Sequence, residues 1–404
     1  MTNRTVEGRL SGGRSSGVGH AAVAKAAPAA SSSGMASSPR PGNVPLQREN
    51  PNSNTPPPTD HGEIGPIWYS FDLAHKRVQP GGWTHQVTQR ELPSSTELTG
   101  VNMRLTAGSF RELHWHTADE WSCMLYGNAR VTVLNPDGTI FIDDVRQGDL
   151  WYFPAGFPHS IQGLGPDGCE FLLVFDQGMF SEDNTFLISD WIAHTPPSIL
   201  SKNFGLDESS LAKLPTGERY IFPASLPRSL AQDRIAVGGP QVQSPIQYTF
   251  KMQSMPPTKK TAGGEVRVVD SHNFPASRNI AAGLVNVKPG GMREMHWHPN
   301  ASEWQFYIAG SARMTVFVPV GSARTMDFHA NDVGYIPAVA GHYVENTGDT
   351  DLVFLEMFRA SEFLDFSLNN WIRRLPPEMV TSHLNLDENE IKKVPAANQS
   401  LIGR

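Results

Sequence analysis

The chain has 404 residues, of which 39% are apolar and 18% charged, so two domains with sizeable cores are the natural expectation. Its net charge is −7 and it has no basic run, which argues against nucleic acid as the main partner. No apolar stretch approaches the length needed to span a bilayer, so we expect no membrane partner. Two cysteines, Cys123 and Cys169, are too few for a disulfide framework, and the sequence leaves their pairing open.

Residues 1–56 are rich in Ser, Gly, Ala and Pro and contain almost no large apolar side chains. Such a composition cannot offset the entropy lost on ordering, so it predicts a disordered tail. The tail has no continuous apolar segment of the kind that a secretory signal needs. This favours a cytoplasmic location, with secretion as the alternative, and the basic character of the tail leaves an organellar transit peptide open.

From about residue 57 the pattern changes to short β-type runs separated by turns. Residues 129–134 alternate and lead into Asn135-Pro136-Asp137-Gly138, a strong turn signal. Residues 140–142 and 150–154 follow as further apolar runs. Strands at this spacing favour an antiparallel barrel or jelly roll.

The second half of the chain repeats the first at an offset of about 180 residues. A more helical segment follows each predicted barrel, and Trp191 in the first such segment corresponds to Trp371 in the second. The sequence therefore predicts a first domain over residues 57–238 and a second over residues 239–404. They join where Val237-Gly238-Gly239-Pro240 breaks the pattern.

Each half carries a His-Trp-His followed by a Glu, and the two histidines of a strand project from the same face. A fourth ligand is expected from a strand lying across the barrel. The proposed metal ligands are His114, His116, Glu120 and His159 in the first half, and His296, His298, Glu303 and His342 in the second. One His-x-His could be a pair of surface histidines, but duplication of the whole pattern argues for two metal sites. Three imidazoles and a carboxylate leave open positions on Mn or Fe, whereas Zn often settles for a tetrahedral site.

The spacing Gly-x5-His-x-His-x3-Glu-x6-Gly, followed by Gly-x5-Pro-x-Gly-x2-His, resembles the two cupin motifs. The first half fills them with Gly108, His114, His116, Glu120, Gly127, Gly148, Pro154, Gly156 and His159. The second half has Asn331 and Val339 where two motif glycines would stand, but it keeps its ligands. Two complete cupins, each with Arg-Glu-x-His-Trp-His, resemble the bicupin oxalate decarboxylases. The resemblance implies an all-β fold with helical appendages, in which each tandem cupin domain is a double-stranded β-helix, or jelly-roll barrel.

This resemblance also implies an activity. The expected reaction is the Mn- and O₂-dependent conversion of oxalate to formate and CO₂, with two Mn²⁺ per chain and O₂ as a redox cofactor. The expected assembly is a homo-oligomer, either a trimer or a hexamer of two trimers. An oxalate oxidase giving CO₂ and H₂O₂ is the nearest alternative. A non-catalytic storage or sugar-binding bicupin and a dioxygenase acting on another small acid are the others.

The resemblance implies that Arg111 and Arg293 bind the substrate carboxylate, a task that suits a forked guanidinium. An unbroken strand would place Arg111 on the face opposite to His114, so we expect a bend or bulge at Glu112. The alternative for Arg111 is a surface salt bridge.

Residues 181–185 read Ser-Glu-Asp-Asn-Thr and resemble the family's active-site lid, Ser-Glu-Asn-Ser-Thr. Glu182 carries over as the proton-transfer group, and its alternative is a place in a polar surface loop. The departure at the middle pair adds a negative charge beside Glu182, which could alter its proton affinity or the closure of the lid. The predicted lid consists of Ser181, Glu182, Asp183, Asn184 and Thr185.

Glu356 is a carboxylate inside an apolar strand, where the first half has Leu173. The family places a proposed proton donor of the second site here, and an ion pair with Arg293 is the structural alternative. Glu362 corresponds to Glu182 by offset, but its surroundings do not copy the lid, so we expect a surface residue. The tryptophans between the ligand histidines should point away from the metals, and we expect Trp115 and Trp297 to pack at a domain or subunit interface.

Overall fold

Antiparallel strands dominate the computed structural model, which describes residues 41–403. They form a 12-stranded sheet built mainly from the first half, and a seven-stranded and a six-stranded sheet built mainly from the second. The predicted all-β fold with helical appendages is confirmed. The strand Ser311–Val318 shows why these segments form strands, since Ala312, Met314 and Val316 alternate with less buried residues and point into the core.

The elements have the following bounds. Those of the first half are α1 (Val44–Glu49), α2 (Pro51–Asn54), β1 (Trp68–Ser70), β2 (Lys76–Gln79), β3 (Gly82–Val87), β4 (Thr99–Leu105), β5 (Phe110–Trp115), β6 (Glu120–Leu134), β7 (Ile140–Arg146), β8 (Leu150–Phe153), β9 (His159–Gly163), β10 (Cys169–Phe175), β11 (Phe186–Leu187), α3 (Ile188–Ala193), α4 (Pro197–Phe204), α5 (Glu208–Leu211), β12 (Ile221–Phe222) and α6 (Leu230–Ala236). Those of the second half are β13 (Thr249–Phe250), β14 (Lys259–Thr261), β15 (Gly264–Val269), β16 (Ala281–Val287), β17 (Met292–Trp297), β18 (Glu303–Ala309), β19 (Ser311–Val318), β20 (Ser322–His329), β21 (Asp332–Ile336), β22 (Gly341–Asn346), β23 (Leu352–Phe358), β24 (Phe366–Ser367), α7 (Leu368–Arg374), α8 (Pro377–Leu384), α9 (Glu388–Lys393) and β25 (Leu401–Ile402).

Each half lends one strand to the barrel of the other half. The strand β1 pairs with β21 of the second barrel, placing Trp68 opposite Gly334. Reciprocally, β13 pairs with β8 of the first barrel, placing Thr249 opposite Trp151. A single hydrophobic core also joins side chains of both halves. The predicted boundary at residues 238 and 239 therefore separates the duplicated sequences, whereas each folded barrel contains chain from both.

Two motif positions keep their backbone conformation although the second half has lost the glycine. Gly148 has a φ of 82° and its counterpart Asn331 a φ of 75°, while Gly156 has 77° and its counterpart Val339 has 60°. Asparagine tolerates the left-handed region, but a β-branched residue there is strained. The turn before each last histidine ligand is thus preserved in the second barrel at a cost in backbone energy.

The end of the predicted tail differs from the expectation. Helices α1 and α2 lie within residues 44–54, and Asn50 is buried where its side chain accepts a hydrogen bond from the Asp327 amide at 3.2 Å. Asn52 donates to the Asp327 carboxylate at 2.6 Å. The composition of the tail did not predict these ordered helices, because polar contacts with a strand distant in the sequence hold them in place. Residues 1–40 lie outside the described residues, so the disordered tail there and the cytoplasmic location stay predictions.

The two cysteines do not form a disulfide. Cys123 and Cys169 are both free and buried in the first barrel. Burial raises the pKa of each thiol to about 12, so both stay protonated and act as small apolar side chains.

Candidate metal centres

The structure brings together the four proposed ligands of each half. In both tetrads one possible ligand atom from each residue lies within 4.8 Å of those from the others, and all eight residues are buried. His114 lies on β5 and His116 directly after it, while Glu120 begins β6 and His159 begins β9. His159 pairs with His114 on the neighbouring strand, so the expectation that the fourth ligand comes from a strand across the barrel is wrong.

Backbone carbonyls orient all six imidazoles. The Nδ1 atom of each ligand histidine lies between 2.5 and 3.0 Å from a main-chain oxygen. This contact fixes the proton on Nδ1 and leaves the lone pair of Nε2 to bind a metal. The Nε2 atoms of His159, His296, His298 and His342 have no hydrogen-bond partner although they are buried. Buried Nε2 atoms that lack a hydrogen-bond partner and lie close to the other ligands of their tetrad fit a bound divalent cation.

The electrostatics of the tetrads suit the same purpose. Burial lowers the pKa of His114, His159 and His296, which keeps the imidazoles in the neutral form that binds metals. Burial opposes ionisation of Glu120, yet the neighbouring His116 and His159 hold the pKa of this carboxyl well below its usual value. Each centre therefore offers three imidazole nitrogens and one carboxylate.

Different groups support the two glutamate ligands. In the first barrel, the Trp151 indole and the Ser122 hydroxyl each donate to Glu120 at 3.1 Å. In the second barrel, the Gln305 amide donates to Glu303 at 2.6 Å and in turn accepts from the Tyr307 hydroxyl at 2.6 Å. The two centres share their ligands but not the contacts that hold the carboxylate.

The predicted bulge aims Arg111 into the first site. The pairing of β5 with β9 shifts register between Arg111 and His114, and β17 shifts in the same way between Arg293 and His296. Glu112 stabilises the bulge, since its carboxylate accepts hydrogen bonds from three backbone amides. Arg111 is 1% exposed, so the alternative of a surface salt bridge is wrong.

Glu182 lies buried beside this arginine. Arg111 Nη2 donates to Glu182 Oε2 at 2.8 Å, and the Tyr220 hydroxyl donates to the same oxygen at 3.1 Å. Phe180, two residues before Glu182, packs on the His116 ring with centroids 5.4 Å apart. Glu182 is 4% exposed, so a place in a solvated surface loop is wrong. The Nε and Nη1 atoms of Arg111 remain without a partner.

Sequence reasoning missed Tyr220. Its ring lies against the Arg111 guanidinium at 4.2 Å, and its backbone has a φ of 56°. The offset of the repeat aligns it with Ser400, which has a φ of 57°. The only signal in the sequence was that the first repeat has a tyrosine where the second has a serine. This difference does not reveal the contact with Glu182.

The second site has a different set of acids. Arg293 Nη2 donates to Asp365 at 2.8 Å, whereas its Nε lies 3.7 Å from Glu356. The carboxylate oxygens of Glu356 have no hydrogen-bond partner, and burial raises the pKa of this group to about 7 although Arg293 opposes the shift. Asp365 was not predicted, because the offset pointed to Glu362. That residue is half exposed beside His272, which confirms the expected surface position.

The tryptophans between the ligands point outward, as predicted. Trp115 stacks on Phe186 and meets Trp191 edge-on, with centroids 5.5 Å apart in both cases. Trp297 makes the equivalent contacts with Phe366 and Trp371. We call these two clusters the aromatic patches. Trp191 and Trp371 are more than half exposed, so both patches face away from the barrels.

Among residues 41–403, no helix combines the length and the apolarity needed to cross a membrane.

The fold and the tetrads define the class of protein. A family model described as cupin matches residues 71–211 and again residues 250–392. Two barrels, each enclosing three imidazoles and a carboxylate, make the chain a bicupin with two candidate metal centres.

Comparison with known proteins narrows the family. The chain is 50% identical to the oxalate decarboxylase OxdC of Bacillus subtilis, with 86% of this chain and 90% of that protein covered. It is 36% identical to a probable oxalate decarboxylase of Arthroderma benhamiae, with 88% of each covered. A solved structure of the Bacillus enzyme, described with Mn(II) centres, superposes with a TM-score of 0.88 at 48% identity, covering 91% of this chain and 97% of that one. The chain therefore belongs to the oxalate decarboxylase family.

Proposed function

We propose that the protein is a Mn-dependent oxalate decarboxylase that converts oxalate to formate and CO₂, with catalysis at the first centre. The observation that carries this proposal is the buried Arg111–Glu182 pair beside the first tetrad, at 2.8 Å. A buried ion pair contributes little to stability on its own, so its place beside four metal ligands supports a functional role. Its setting in a family whose Bacillus member has Mn(II) centres supports Mn at both tetrads.

Arg111 is suited to hold the substrate. One of its terminal nitrogens is bonded to Glu182, while Nε and Nη1 are buried and free to donate. Each of these buried nitrogens can donate a charge-assisted hydrogen bond to a carboxylate oxygen. Arg111 would hold oxalate by such bonds beside the tetrad.

Glu182 is suited to move the proton. Bound Mn with O₂ would supply the one-electron chemistry that weakens the C–C bond. Glu182 would accept the proton of the bound hydrogenoxalate and, once CO₂ has left, return it to the carbon of the remaining fragment. The overall reaction converts hydrogenoxalate to formate and CO₂ with no net change in electrons, so O₂ is not consumed.

The same site also accounts for the oxidase alternative. When no proton reaches the carbon, the one-carbon fragment can lose a second electron to O₂, and the products are CO₂ and H₂O₂. Glu182 lies in the predicted lid, residues 181–185, hereafter the lid segment. Closure of the lid segment over the site would therefore set the ratio of formate to H₂O₂.

The aromatic patches support a homo-oligomer, a trimer or a hexamer. Exposed tryptophan beside further aromatic rings is typical of protein interfaces. Each barrel presents one patch at the equivalent place, so copies of the chain could pair a patch of one barrel with the patch of another.

Product analysis tests the proposed function. The Mn-loaded protein is incubated with oxalate at mildly acidic pH, and formate and H₂O₂ are scored together. We expect formate in large excess, and a loss of formate of about 100-fold or more in Glu182→Ala, because general acid–base catalysis contributes at least this much. The matched control is Glu362→Ala, which removes a half-exposed glutamate at the corresponding repeat position. Mainly H₂O₂ from the wild type would favour the oxidase, and undiminished formate from Glu182→Ala would contradict catalysis at the first centre.

A further inference from the structure

We propose that Arg77 is a positioning residue for the first site, where it holds the lid segment closed through Asp183 and fixes the tyrosine that contacts Glu182. This inference rests on the proposed function of the lid segment. It adds a residue outside that segment as a determinant of product specificity.

Arg77 contacts three groups around the lid segment. Its Nη2 pairs with Glu218 at 2.6 Å, and its Nη1 lies 3.4 Å from the Asp183 carboxylate. Its guanidinium carbon lies 3.8 Å from the centre of the Tyr220 ring. The hydroxyl of that ring donates to Glu182. Arg77 therefore touches both neighbours of the proton-transfer group, the next residue in the chain and the tyrosine that donates to it.

The anchor belongs to the barrel and not to the lid segment. Arg77 lies on β2, whose pairing with β3 places it opposite Thr84. Gln86 of β3 makes the other bonds to the lid segment, donating to the Ser181 hydroxyl at 3.1 Å and accepting from the Glu182 amide at 3.1 Å. One hairpin of the barrel therefore holds both ends of the turn that carries Glu182.

The second barrel repeats the linkage with different chemistry. Lys259 on β14 takes the place of Arg77, and its ammonium donates to Asn398 at 2.7 Å. Asn398 takes the place of Glu218 and donates to Asp365, the acid bound to Arg293, at 2.9 Å. In each barrel a cation of the first hairpin is thus connected to the acid that pairs with the buried arginine. The cation on this hairpin therefore has a counterpart in the second barrel, although its ion pair with Asp183 does not.

Among the described residues, only in the first barrel does an ion pair join the first hairpin to the segment that covers the site. Position 183 corresponds to Phe363, an apolar residue that packs on the His298 ring. A charged contact at the surface is easily broken, since it is partly solvated and screened by salt. Such a contact can bias a closing segment without locking it, which is what a lid that must release its product requires.

The test combines two variants and two measurements. Asp183→Asn removes the ion pair and keeps the shape of the side chain, and Arg77→Ala removes the anchor with all three of its contacts. Hydrogen exchange of the amides of residues 181–185 is measured in the metal-free protein, and the ratio of H₂O₂ to formate in the Mn-loaded protein. We expect about a two- to fivefold rise in both for Asp183→Asn, the effect of one exposed ion pair, and a larger rise for Arg77→Ala.

Three controls separate the anchor from a general loss of structure. Lys76→Ala removes the same charge from the adjacent position of β2 and should change neither measurement. Arg77→Lys should raise hydrogen exchange and the product ratio less than Arg77→Ala does, since lysine keeps the charge but not the forked guanidinium. High salt should bring the wild type towards Asp183→Asn.

The outcomes distinguish this inference from the function on which it rests. Unchanged exchange and product ratio in both Asp183→Asn and Arg77→Ala would overturn the role of Arg77, even where Glu182→Ala abolishes formate. Formate that survives Glu182→Ala would instead overturn the proposed function of the lid segment.

Discussion

The two barrels hold the same four ligands in surroundings that differ in almost every other respect. In the first barrel, the buried arginine pairs with Glu182, and a tyrosine donates to that carboxylate. In the second, the equivalent arginine pairs with Asp365, and a further buried carboxylate, Glu356, lies without a hydrogen-bond partner. Duplication has therefore preserved the metal centre and let the groups that would act on a substrate diverge.

One repeat position shows how the divergence happened. Tyr220 and Ser400 have the same left-handed backbone, and each donates its amide to the glutamate of the bulge, Glu112 or Glu294. The backbone therefore does the same structural work in both barrels. At this position only the first barrel adds a side chain that reaches the site, which supports the proposed catalysis at the first centre.

The largest effect should come from removing one ligand of the first centre. We expect His114→Ala to lower formate production at least about 100-fold, because loss of a ligand exceeds the usual effect of losing its supporting contacts. His296→Ala should retain most of the activity. Metal analysis should show one Mn lost per chain in both variants, since the tetrads are separate. Equal loss of activity in the two variants would break the comparison.

A tenfold effect is expected at the repeat position that diverged. Tyr220→Phe removes the hydroxyl that donates to Glu182, and a hydrogen bond to a charged group is worth about 1.5–3 kcal/mol. We expect kcat/KM for oxalate to fall about tenfold, with more H₂O₂ per formate. Ser400→Ala, the matched variant of the second barrel, should leave both unchanged.

The buried carboxylate of the second barrel, Glu356, should make the free energy of unfolding depend on pH. Burial raises the pKa of Glu356 to about 7, so the folded state binds a proton that the unfolded chain releases near its ordinary value. Between these two values the wild type should lose stability as pH rises, and Glu356→Gln should not. For the metal-free proteins in urea, we expect the difference in free energy of unfolding to shift by roughly 1–3 kcal/mol in favour of the variant between pH 5 and 8. A difference independent of pH would show that Arg293 keeps Glu356 ionised.

The smallest effect should come from restoring a motif glycine. Val339 has a φ of 60° and an exposed side chain, so Val339→Gly removes backbone strain and little packing. We expect a gain of about 1 kcal/mol in the free energy of unfolding. Asn331→Gly should change stability by only a few tenths of a kcal/mol, because asparagine already tolerates this conformation. Thermal unfolding of both variants compares the two positions directly.

The sequence predicted the parts of the site that lie close together in the chain. His114, His116 and Glu120 belong to one motif, and strand geometry alone places the two imidazoles on one face. The bulge at Glu112 also followed from local geometry, since Arg111 could not otherwise face His114. Repetition of the pattern then carried these predictions to the second barrel.

The contacts missed by the sequence come from distant segments. Tyr220 reaches Glu182 across 38 residues, and Asp365 reaches Arg293 across 72. For Asp365 the repeat offset pointed instead to Glu362, because the second covering segment has a different course from the lid segment. Local pattern determines which residues form a strand, but the partner of a buried charge depends on where a remote loop packs.

The strands exchanged between the barrels have a consequence for the history of the chain. A protein of half this length, with the same leading strand, would carry an arm that its own barrel does not use and an edge that lacks a partner. Two such molecules could complete each other by swapping arms, which makes a symmetric dimer the simplest ancestor. Fusion of two copies would turn this association into an intramolecular contact, so that assembly of the barrels would no longer depend on protein concentration.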